Sequence, residues 1–223
     1  NCHEMNEPNQ WRTLFTYGNG IASHLWLGVY DRNVLRAGIY TSFNQAEFRE
    51  VMVNRGIRSG EWIHVAFTTG PAGQRLFLNG VLRETNSLNG SFATIPKGSL
   101  HTLGDLPGGF GLQGQFDELR VWDVGRTELQ IRENMIKRMV GNEPGLVGLW
   151  NFHDPANPGR DASPGAHHGT LRGQAAVVRA LPPTGALLGK VTDAAGNALP
   201  GASIEVRRGG RETVRAHADD RGD

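Results

Sequence analysis

The sequence predicts an all-β protein in which two antiparallel sheets pack face to face. Short runs place apolar side chains at every second position, the pattern of a strand with one buried face. The 31 glycines and 11 prolines among 223 residues exceed ordinary usage and suit many short strands joined by tight turns. One group of three strands, between Glu61 and Leu82, has an apolar face that needs a second sheet to cover it.

This three-stranded meander has the clearest pattern in the chain. The apolar face of its first strand carries Ile63, Val65 and Phe67. Residues 70–73 (Gly-Pro-Ala-Gly) reverse the chain, because proline fixes φ and glycine supplies a positive φ. Asn79-Gly80 is the dipeptide that most favours a two-residue type I′ hairpin, so a third strand is predicted from Val81.

Further strands are predicted on both sides of the meander. Those before it cover residues 11–16, 25–30, 34–40 and 48–53, and those after it cover residues 100–103, 115–122 and 146–152. Thr127 is the predicted N-cap of a helix that runs to about Val140, because Gln130 stands three residues later in the capping-box position. A closing strand is predicted to begin at Gly169.

Four stretches carry a resemblance to a known family. Residues 60–67 (GEWIHVAF) and 75–82 (RLFLNGVL) resemble the W-x-H-V-A … L-x-L-x-x-N-G-x-L pattern of laminin-G-like, concanavalin A-like jelly-roll domains. Residues 115–122 (QFDELRVW) resemble their G-x-I-D-E-V-R-I-W strand. Residues 149–171 are similar to their W-x-F … D-x-S-G-x-x-x-H-G-x-L ending, with Pro164 where glycine is usual. The resemblance implies an antiparallel jelly-roll β-sandwich, of the bacterial, pentraxin-related branch, over residues 1–178.

A second domain is expected after a proline-rich linker over residues 179–186. Residues 188–206 are similar to the start of a carboxypeptidase regulatory-like domain, a small transthyretin-like β-sandwich that usually serves as a spacer. That family continues with an aromatic strand, so we expect an incomplete domain over residues 187–223. Both ends of the chain are typical of a piece cut from a longer protein. We expect most of the family's first jelly-roll strand to be absent or to lie among residues 1–10.

Composition excludes several classes of partner. A formal net charge of +1 removes the electrostatic case for nucleic acid, and no apolar run is long enough to insert into a membrane. Cys2 is the one cysteine and cannot form an internal disulfide. It either pairs with residues beyond this stretch or remains an inert thiol.

Catalysis is not expected of this chain. The jelly-roll glycosidases place paired carboxylates on one strand as E-x-D-x-x-E, whereas here Gln115 stands first and Arg120 last. Adjacent residues of a strand face opposite ways, so Asp117 and Glu118 are not expected to act as a pair. Ser163 lacks a G-x-S-x-G context.

Two further sequence motifs resemble a phosphate loop and a zinc site, but each lacks residues that such a site requires. The glycine-rich residues 104–114 lack the Gly-Lys-Ser/Thr ending of a phosphate loop, and a binding loop at the rim of the sandwich is the better interpretation. His167-His168 lacks the further ligands of a zinc site, and surface histidines are the better interpretation.

Calcium is the candidate cofactor, because the resemblance implies loops that hold Ca²⁺ through carboxylate, amide and backbone oxygens. Asp154, Asn157 and Asp161 are oxygen donors in one loop, and Asp117 or Asp105 could join them from neighbouring strands. The alternative is that these residues cap turns, as Asp and Asn commonly do.

Ligand binding is the favoured function. Sugars need aromatic faces beside hydrogen-bonding side chains, and the candidates are Trp62 and Trp122 with Glu118 and Arg120. The alternative is that both tryptophans belong to the core.

We therefore expect a non-catalytic module that binds a glycan or a protein within a larger exported bacterial protein. It would lie outside the cell, at its surface or in the periplasm, beside other domains of the same chain. A structural spacer in an adhesin or sensor ectodomain and a glycoside hydrolase remain the alternatives, and the missing pair of acids disfavours the latter.

Overall fold

The computed structural model describes residues 10–19, 23–40, 50–91, 94–96, 98, 100–106, 111–179, 191–208 and 211–217. The chain divides into two compact units, residues 1–182 and 183–223. Cys2 and residues 180–186 of the predicted linker lie outside the described residues.

The described part of the first unit contains ten strands and one short helix. They are β1 Trp11–Asn19, β2 Ser23–Tyr30, β3 Val34–Tyr40, β4 Glu50–Val53, β5 Val65–Thr68, β6 Gln74–Leu78, β7 Val81–Asn86, β8 Leu100–Leu103, β9 Leu119–Trp122, α1 Glu128–Asn134 and β10 Leu146–Trp150. No helix among the described residues is long and apolar enough to cross a membrane.

The strands form three antiparallel sheets in the first unit. The largest has the order β4-β3-β2-β1-β8, the meander forms β5-β6-β7, and β9 pairs with β10. The β6–β7 turn is the predicted one, with φ of 49° at Asn79 and 78° at Gly80, the left-handed values that a type I′ turn requires. The all-β prediction is therefore confirmed.

The core of the first unit lies between the five-stranded sheet and the meander. Val29, Leu35, Ala37 and Val51 contribute from the large sheet, and Leu76 meets them from β6 with no exposed surface. The partly buried residues that pack against this cluster include the three that the alternation of the first meander strand placed inside, Ile63, Val65 and Phe67.

The clearest differences from the sequence prediction lie in the region after residue 114. Helix α1 ends at Asn134 instead of Val140, although its capping box at Thr127 and Gln130 is present. The strand predicted over residues 115–122 begins only at Leu119, because Glu118 adopts a left-handed φ of 53°. No strand forms at Gly169, whose N–H donates to the carbonyl of Gly159 within the same loop (2.7 Å).

The second unit contains one described hairpin, β11 Ser203–Arg208 and β12 Arg211–His217. Before it, Thr192 and Ala198 form an isolated antiparallel bridge. Asp193 closes the intervening turn by accepting from the N–H groups of Ala195 and Asn197 (both 2.9 Å). The carboxypeptidase regulatory-like assignment of this unit stays a prediction.

Candidate functional site

Asp161, at the centre of the predicted calcium loop, is a hydrogen-bond hub. Its Oδ1 accepts from the N–H groups of Leu149 and Ser163 (both 2.8 Å), and its Oδ2 accepts from Ser163 Oγ and the His167 N–H (both 2.9 Å). A carboxylate offers about four lone-pair sites, so four donors occupy them all. Asp161 is 2% exposed, and both of its oxygens accept hydrogen bonds from the chain around it.

The ionisation of Asp161 follows from these bonds. Burial would raise the pKa of its carboxyl, but the hydrogen bonds from Leu149, Ser163 and His167 outweigh burial and lower the pKa. Asp154 similarly caps a turn, accepting from the Ala156 N–H (3.0 Å) and Asn157 Nδ2 (2.9 Å). These hydrogen bonds are those of turn caps, the alternative that the sequence left open for these residues. Calcium binding itself stays a prediction.

Glu118 and Arg120, predicted to bind a ligand, are tied to each other and to the fold. Arg120 Nη2 lies 2.9 Å from Glu118 Oε2. The guanidinium also donates to the Asn134 carbonyl (2.7 Å) at the end of α1 and to the Lys137 carbonyl. A cation at a helix C-terminus is favourable because the last carbonyls carry partial negative charge. Arg120 thus fixes the chain that leaves the helix.

The two predicted tryptophans are both half-buried. Trp122 packs against the small cluster of Met139, Leu146 and Leu149, and the Arg126 guanidinium lies 4.2 Å from its ring centroid. Trp62 lies in the irregular segment before β5. The binding role predicted for these residues stays untested.

Asp117 and Glu118 lie on the same side of the chain, which corrects the expectation that they face opposite ways. The φ of 53° at Glu118 interrupts the strand, so the alternation of side chains does not apply. Both carboxylates reach His153, whose Nε2 lies 3.8 Å from Asp117 Oδ1 and 4.0 Å from Glu118 Oε1. Among the described residues this is the one group of three side chains spaced to hold a metal, and it excludes Asp105, Asp154 and Asp161.

A second candidate site lies on the face of the five-stranded sheet opposite the core that this sheet shares with the meander. Residues paired across neighbouring strands share a face, and the pairs Trp11–Tyr30, Gly28–Arg36 and Arg36–Met52 place their members together. We call this surface the aromatic face and define it by Trp11, Thr13, Trp26, Tyr30, Arg36, Tyr40, Glu50 and Met52.

Aromatic rings make up one half of the aromatic face. The ring centroids of Trp11 and Tyr30 are 4.6 Å apart, and Trp11 meets Trp26 edge-to-face at 5.1 Å. Trp26 Nε1 donates to Thr13 Oγ1 (3.0 Å). A Cβ on Gly28 would come within 2.2 Å of the Trp26 ring, so glycine is needed for the indole to lie against the sheet.

An ion pair makes up the other half. The Arg36 guanidinium lies 4.8 Å from the Trp11 ring centroid and 5.4 Å from that of Tyr30, and it pairs with Glu50. The Tyr40 hydroxyl donates to Glu50, and burial, followed by the negative charge of Glu50, raises the pKa of that hydroxyl. Tyr40 therefore stays a neutral donor that fixes the carboxylate.

Exposure increases from one side of the aromatic face to the other. Leu106 packs over Trp26 and Tyr40, and the Glu50 side chain is 6% exposed. The Arg36 side chain is 21% exposed and Met52 is 48% exposed. The accessible part therefore presents a guanidinium and a thioether above half-buried aromatic rings.

A family model described as the concanavalin A-like lectin/glucanases superfamily matches residues 4–132, more than half of the chain. The chain belongs to this superfamily. A Bacteroides ovatus protein described as a candidate carbohydrate-binding protein has a similar solved structure, with a TM-score of 0.51 at 21% identity. The match covers 72% of this chain and 47% of that one, so this chain spans about half of that structure. At this identity the likeness shows a shared fold.

A second solved structure is an S-layer domain-containing protein from Clostridium thermocellum, at 18% identity and a TM-score of 0.28. That match covers 57% of this chain and 64% of the other. No curated protein matches the sequence.

The aromatic face of this concanavalin A-like domain is absent from the sequence-based predictions. The available signal was the alternation in β2 and β3, which puts Trp26, Gly28 and Tyr30 on one face and Arg36 and Tyr40 beside them. Sequence reasoning predicted these strands from their bounding turns and did not assign their side chains to faces. A row of aromatic and charged residues on one face was nevertheless visible in the alternation.

Proposed function

We propose that this chain is a non-catalytic carbohydrate-binding module whose glycan site is the aromatic face. The observation that carries the proposal is the Arg36–Glu50 pair set over the rings of Trp11 and Tyr30. These groups lie on the sheet face opposite the core shared with the meander, beside the buried cluster of Trp26, Tyr40 and Leu106. Sugars present apolar C–H patches and paired hydroxyls. Aromatic rings cover the former, and planar bidentate groups bind the latter.

The fold and its relatives support this choice of ligand. The superfamily is described by its lectins and glucanases, and carbohydrate binding is ascribed to the Bacteroides ovatus protein. A protein ligand is the alternative. The exposed part of the face is a strip around Arg36 and Met52, which suits a small ligand better than a broad protein surface.

The chemistry of the face supports binding over hydrolysis. Glycosidases need two carboxylates on either side of the scissile bond. Glu50 is the one carboxylate on the described part of the aromatic face, and both of its oxygens are engaged, by Tyr40 and Arg36. Asp117 and Glu118 do approach each other, but an oxygen of each faces the same His153 imidazole, at 3.8 and 4.0 Å from its Nε2.

The setting that we propose is a larger exported bacterial protein, at the cell surface, outside the cell or in the periplasm. It rests on the sequence resemblance of residues 188–206 to a spacer domain, and a second compact unit follows the module. The spacer function considered above for the whole chain is the competing proposal, and it requires no ligand.

The experiment is a glycan array probed with the whole chain, followed by calorimetry on the best oligosaccharide. Arg36→Gln removes the planar cation and should weaken binding by about tenfold or more, since a hydrogen bond to a charged group contributes roughly 1.5–3 kcal/mol. The matched control is Arg58→Gln, because the Arg58 side chain is 77% exposed and makes only a long surface ion pair with Glu61.

A second variant distinguishes loss of the binding site from misfolding of the protein. Arg36→Gln leaves Glu50 without its cation, so thermal melts must show that the variant folds. Met52→Glu changes an exposed position and should still weaken binding, because the new carboxylate competes for Arg36. Undiminished binding by both variants would refute the site. Loss of binding in Trp62→Ala alone would favour the surface predicted from sequence, and no glycan at all would favour the spacer.

A further inference from the structure

Two chain segments meet at the end of the small β9–β10 sheet. Leu119 pairs with Trp150, so Asp117 and Glu118 enter the sheet where His153 leaves it. Left-handed φ values of 53° at Glu118 and 55° at Phe152 turn both segments at this point. The result is a group of two carboxylates and one imidazole, drawn from positions far apart in sequence.

The ligand atoms of this group are close to metal-binding spacing. Asp117 Oδ1, Glu118 Oε1 and His153 Nε2 all lie within 4.8 Å of one another. Metal–ligand bonds of about 2.1 Å in a tetrahedral site place ligand atoms about 3.4 Å apart. The separations of 3.8 and 4.0 Å from His153 Nε2 exceed that spacing by only 0.4–0.6 Å, about the change that a small side-chain rotation produces. The His153 side chain is 41% exposed.

An independent observation points to a ligand at the same place. Glu118 Oε1 is buried and has no hydrogen-bond partner, whereas Oε2 of the same carboxylate is held by Arg120. A buried carboxylate oxygen without a donor is costly, and native structures normally satisfy such atoms with protein, water or an ion. This atom is also the one that faces His153 Nε2.

We propose that Asp117, Glu118 and His153 bind a divalent first-row transition cation such as Zn²⁺ or Mn²⁺. An imidazole ligand favours these ions over Ca²⁺ and Mg²⁺, which prefer all-oxygen sites. Three protein ligands leave further coordination positions open, and the 30% exposure of the Asp117 side chain lets water reach them. The proposal does not depend on the glycan site.

The ion would join β9 to the segment that follows β10. Glu118 would be held on both sides, by Arg120 through Oε2 and by the cation through Oε1. Bound metal would therefore stabilise the native chain by mass action, with an effect that grows with metal concentration.

The test is calorimetry of the whole, metal-stripped chain with Zn²⁺, Mn²⁺ and Ca²⁺, together with the visible spectrum of the Co²⁺ form. His153→Gln and Asp117→Asn should each weaken Zn²⁺ binding by about tenfold or more, because each removes a direct ligand. The matched control is His167→Gln, since His167 is an exposed histidine whose N–H bond to Asp161 comes from the backbone. It should bind Zn²⁺ as the parent does.

Weak binding in both ligand variants, with an unchanged control and a Co²⁺ spectrum that loses intensity in His153→Gln, supports the proposal. Absence of Zn²⁺, Mn²⁺ and Co²⁺ binding by the parent overturns it. Equal binding by all variants, or loss only in His167→Gln, identifies adventitious surface binding. A Ca²⁺ site that needs Asp117 but not His153 would overturn the choice of ion.

Discussion

The two halves of the first unit are stabilised by different interactions. The five-stranded sheet and the meander share an apolar core, in which Leu35, Ala37 and Leu76 have no exposed surface. Residues 115–179 instead combine a two-stranded sheet with a short helix and a long irregular segment. Their apolar cluster is small, and single polar side chains hold the irregular parts.

The two halves differ in how many interactions hold each part of the chain in place. In the apolar half many weak contacts act together, so the packing is distributed over several strands. In the polar half Asp161 alone satisfies three backbone N–H groups, and Arg120 alone holds two carbonyls. Loss of one apolar side chain should weaken the whole unit, whereas loss of one polar side chain should release one segment.

The largest effect is expected from Leu76→Ala. This change leaves a cavity in the middle of the shared core and should cost about 3–4 kcal/mol in the free energy of unfolding. Urea melts followed by fluorescence and by circular dichroism should shift together, because the core joins both sheets. The surface change Leu129→Ala, at a side chain that is 62% exposed on α1, is the control. Separate transitions for the two probes would contradict a shared core.

The next effect concerns pH and links the two halves. Burial, aided by the charge of Arg120, lowers the pKa of His64 to about 4 from 6.5. The unfolded chain therefore binds the proton more readily than the folded chain. Stability is full above pH 6.5 and falls as the pH drops towards 4, by up to about 3 kcal/mol.

The measurement is the unfolding free energy at pH 7 and pH 4.5 in the parent and in His64→Leu. Carboxylates also titrate in this range, so the difference between the two proteins isolates the imidazole. The parent should lose more stability than the variant on acidification. Parallel losses would show that His64 is solvated in the folded chain.

A smaller and local effect is expected from Asp161→Asn. An amide offers only one acceptor oxygen, so some of the donors that Asp161 satisfies lose their partner, at a cost of about 2 kcal/mol. Hydrogen exchange should speed up at Ser163 and His167, with little change in β2 and β3.

Asp154→Asn is the matched control for that experiment, because Asp154 makes two hydrogen bonds of the same kind at an exposed turn. It should change exchange little. Uniform acceleration across the five-stranded sheet in Asp161→Asn would show that the two halves unfold as one.

The smallest effect is expected from Thr127→Ala. Thr127 Oγ1 accepts from the Gln130 N–H (3.2 Å), and Gln130 Oε1 accepts from the Thr127 N–H (3.0 Å). Removing a capping hydroxyl typically costs about 1 kcal/mol. Thr127→Ser keeps the hydroxyl and should restore most of the stability. A loss as large as that of Leu76→Ala would contradict a merely local role for the helix.

The apolar half could be predicted because its determinants are local in sequence. Bounding turns placed β1, β2 and β3, and Asn79-Gly80 fixed the hairpin through the backbone freedom of those two residues. In the polar half the start of α1 was predictable for the same reason, because its capping box of Thr127 and Gln130 is local.

The polar half was predicted less well because its determinants are distant in sequence. The chain after Asn134, the last residue of α1, is held by Arg120 of strand β9, and no pattern near residue 134 reveals this. A left-handed glutamate at position 118 is equally hard to foresee, because only glycine, Asn and Asp commonly adopt that conformation. The convergence of Asp117 and Glu118 on His153 followed from it.

The contact between the β6–β7 turn and α1 bears on the order of folding. A Cβ on Gly80 would lie 3.0 Å from the Cα of Arg132, and the Leu82 N–H donates to Glu128 Oε1 (3.1 Å). A helix of seven residues is too short to persist alone in water, whereas a two-residue hairpin closes locally and rapidly. We therefore expect the hairpin to form before the helix that packs against it.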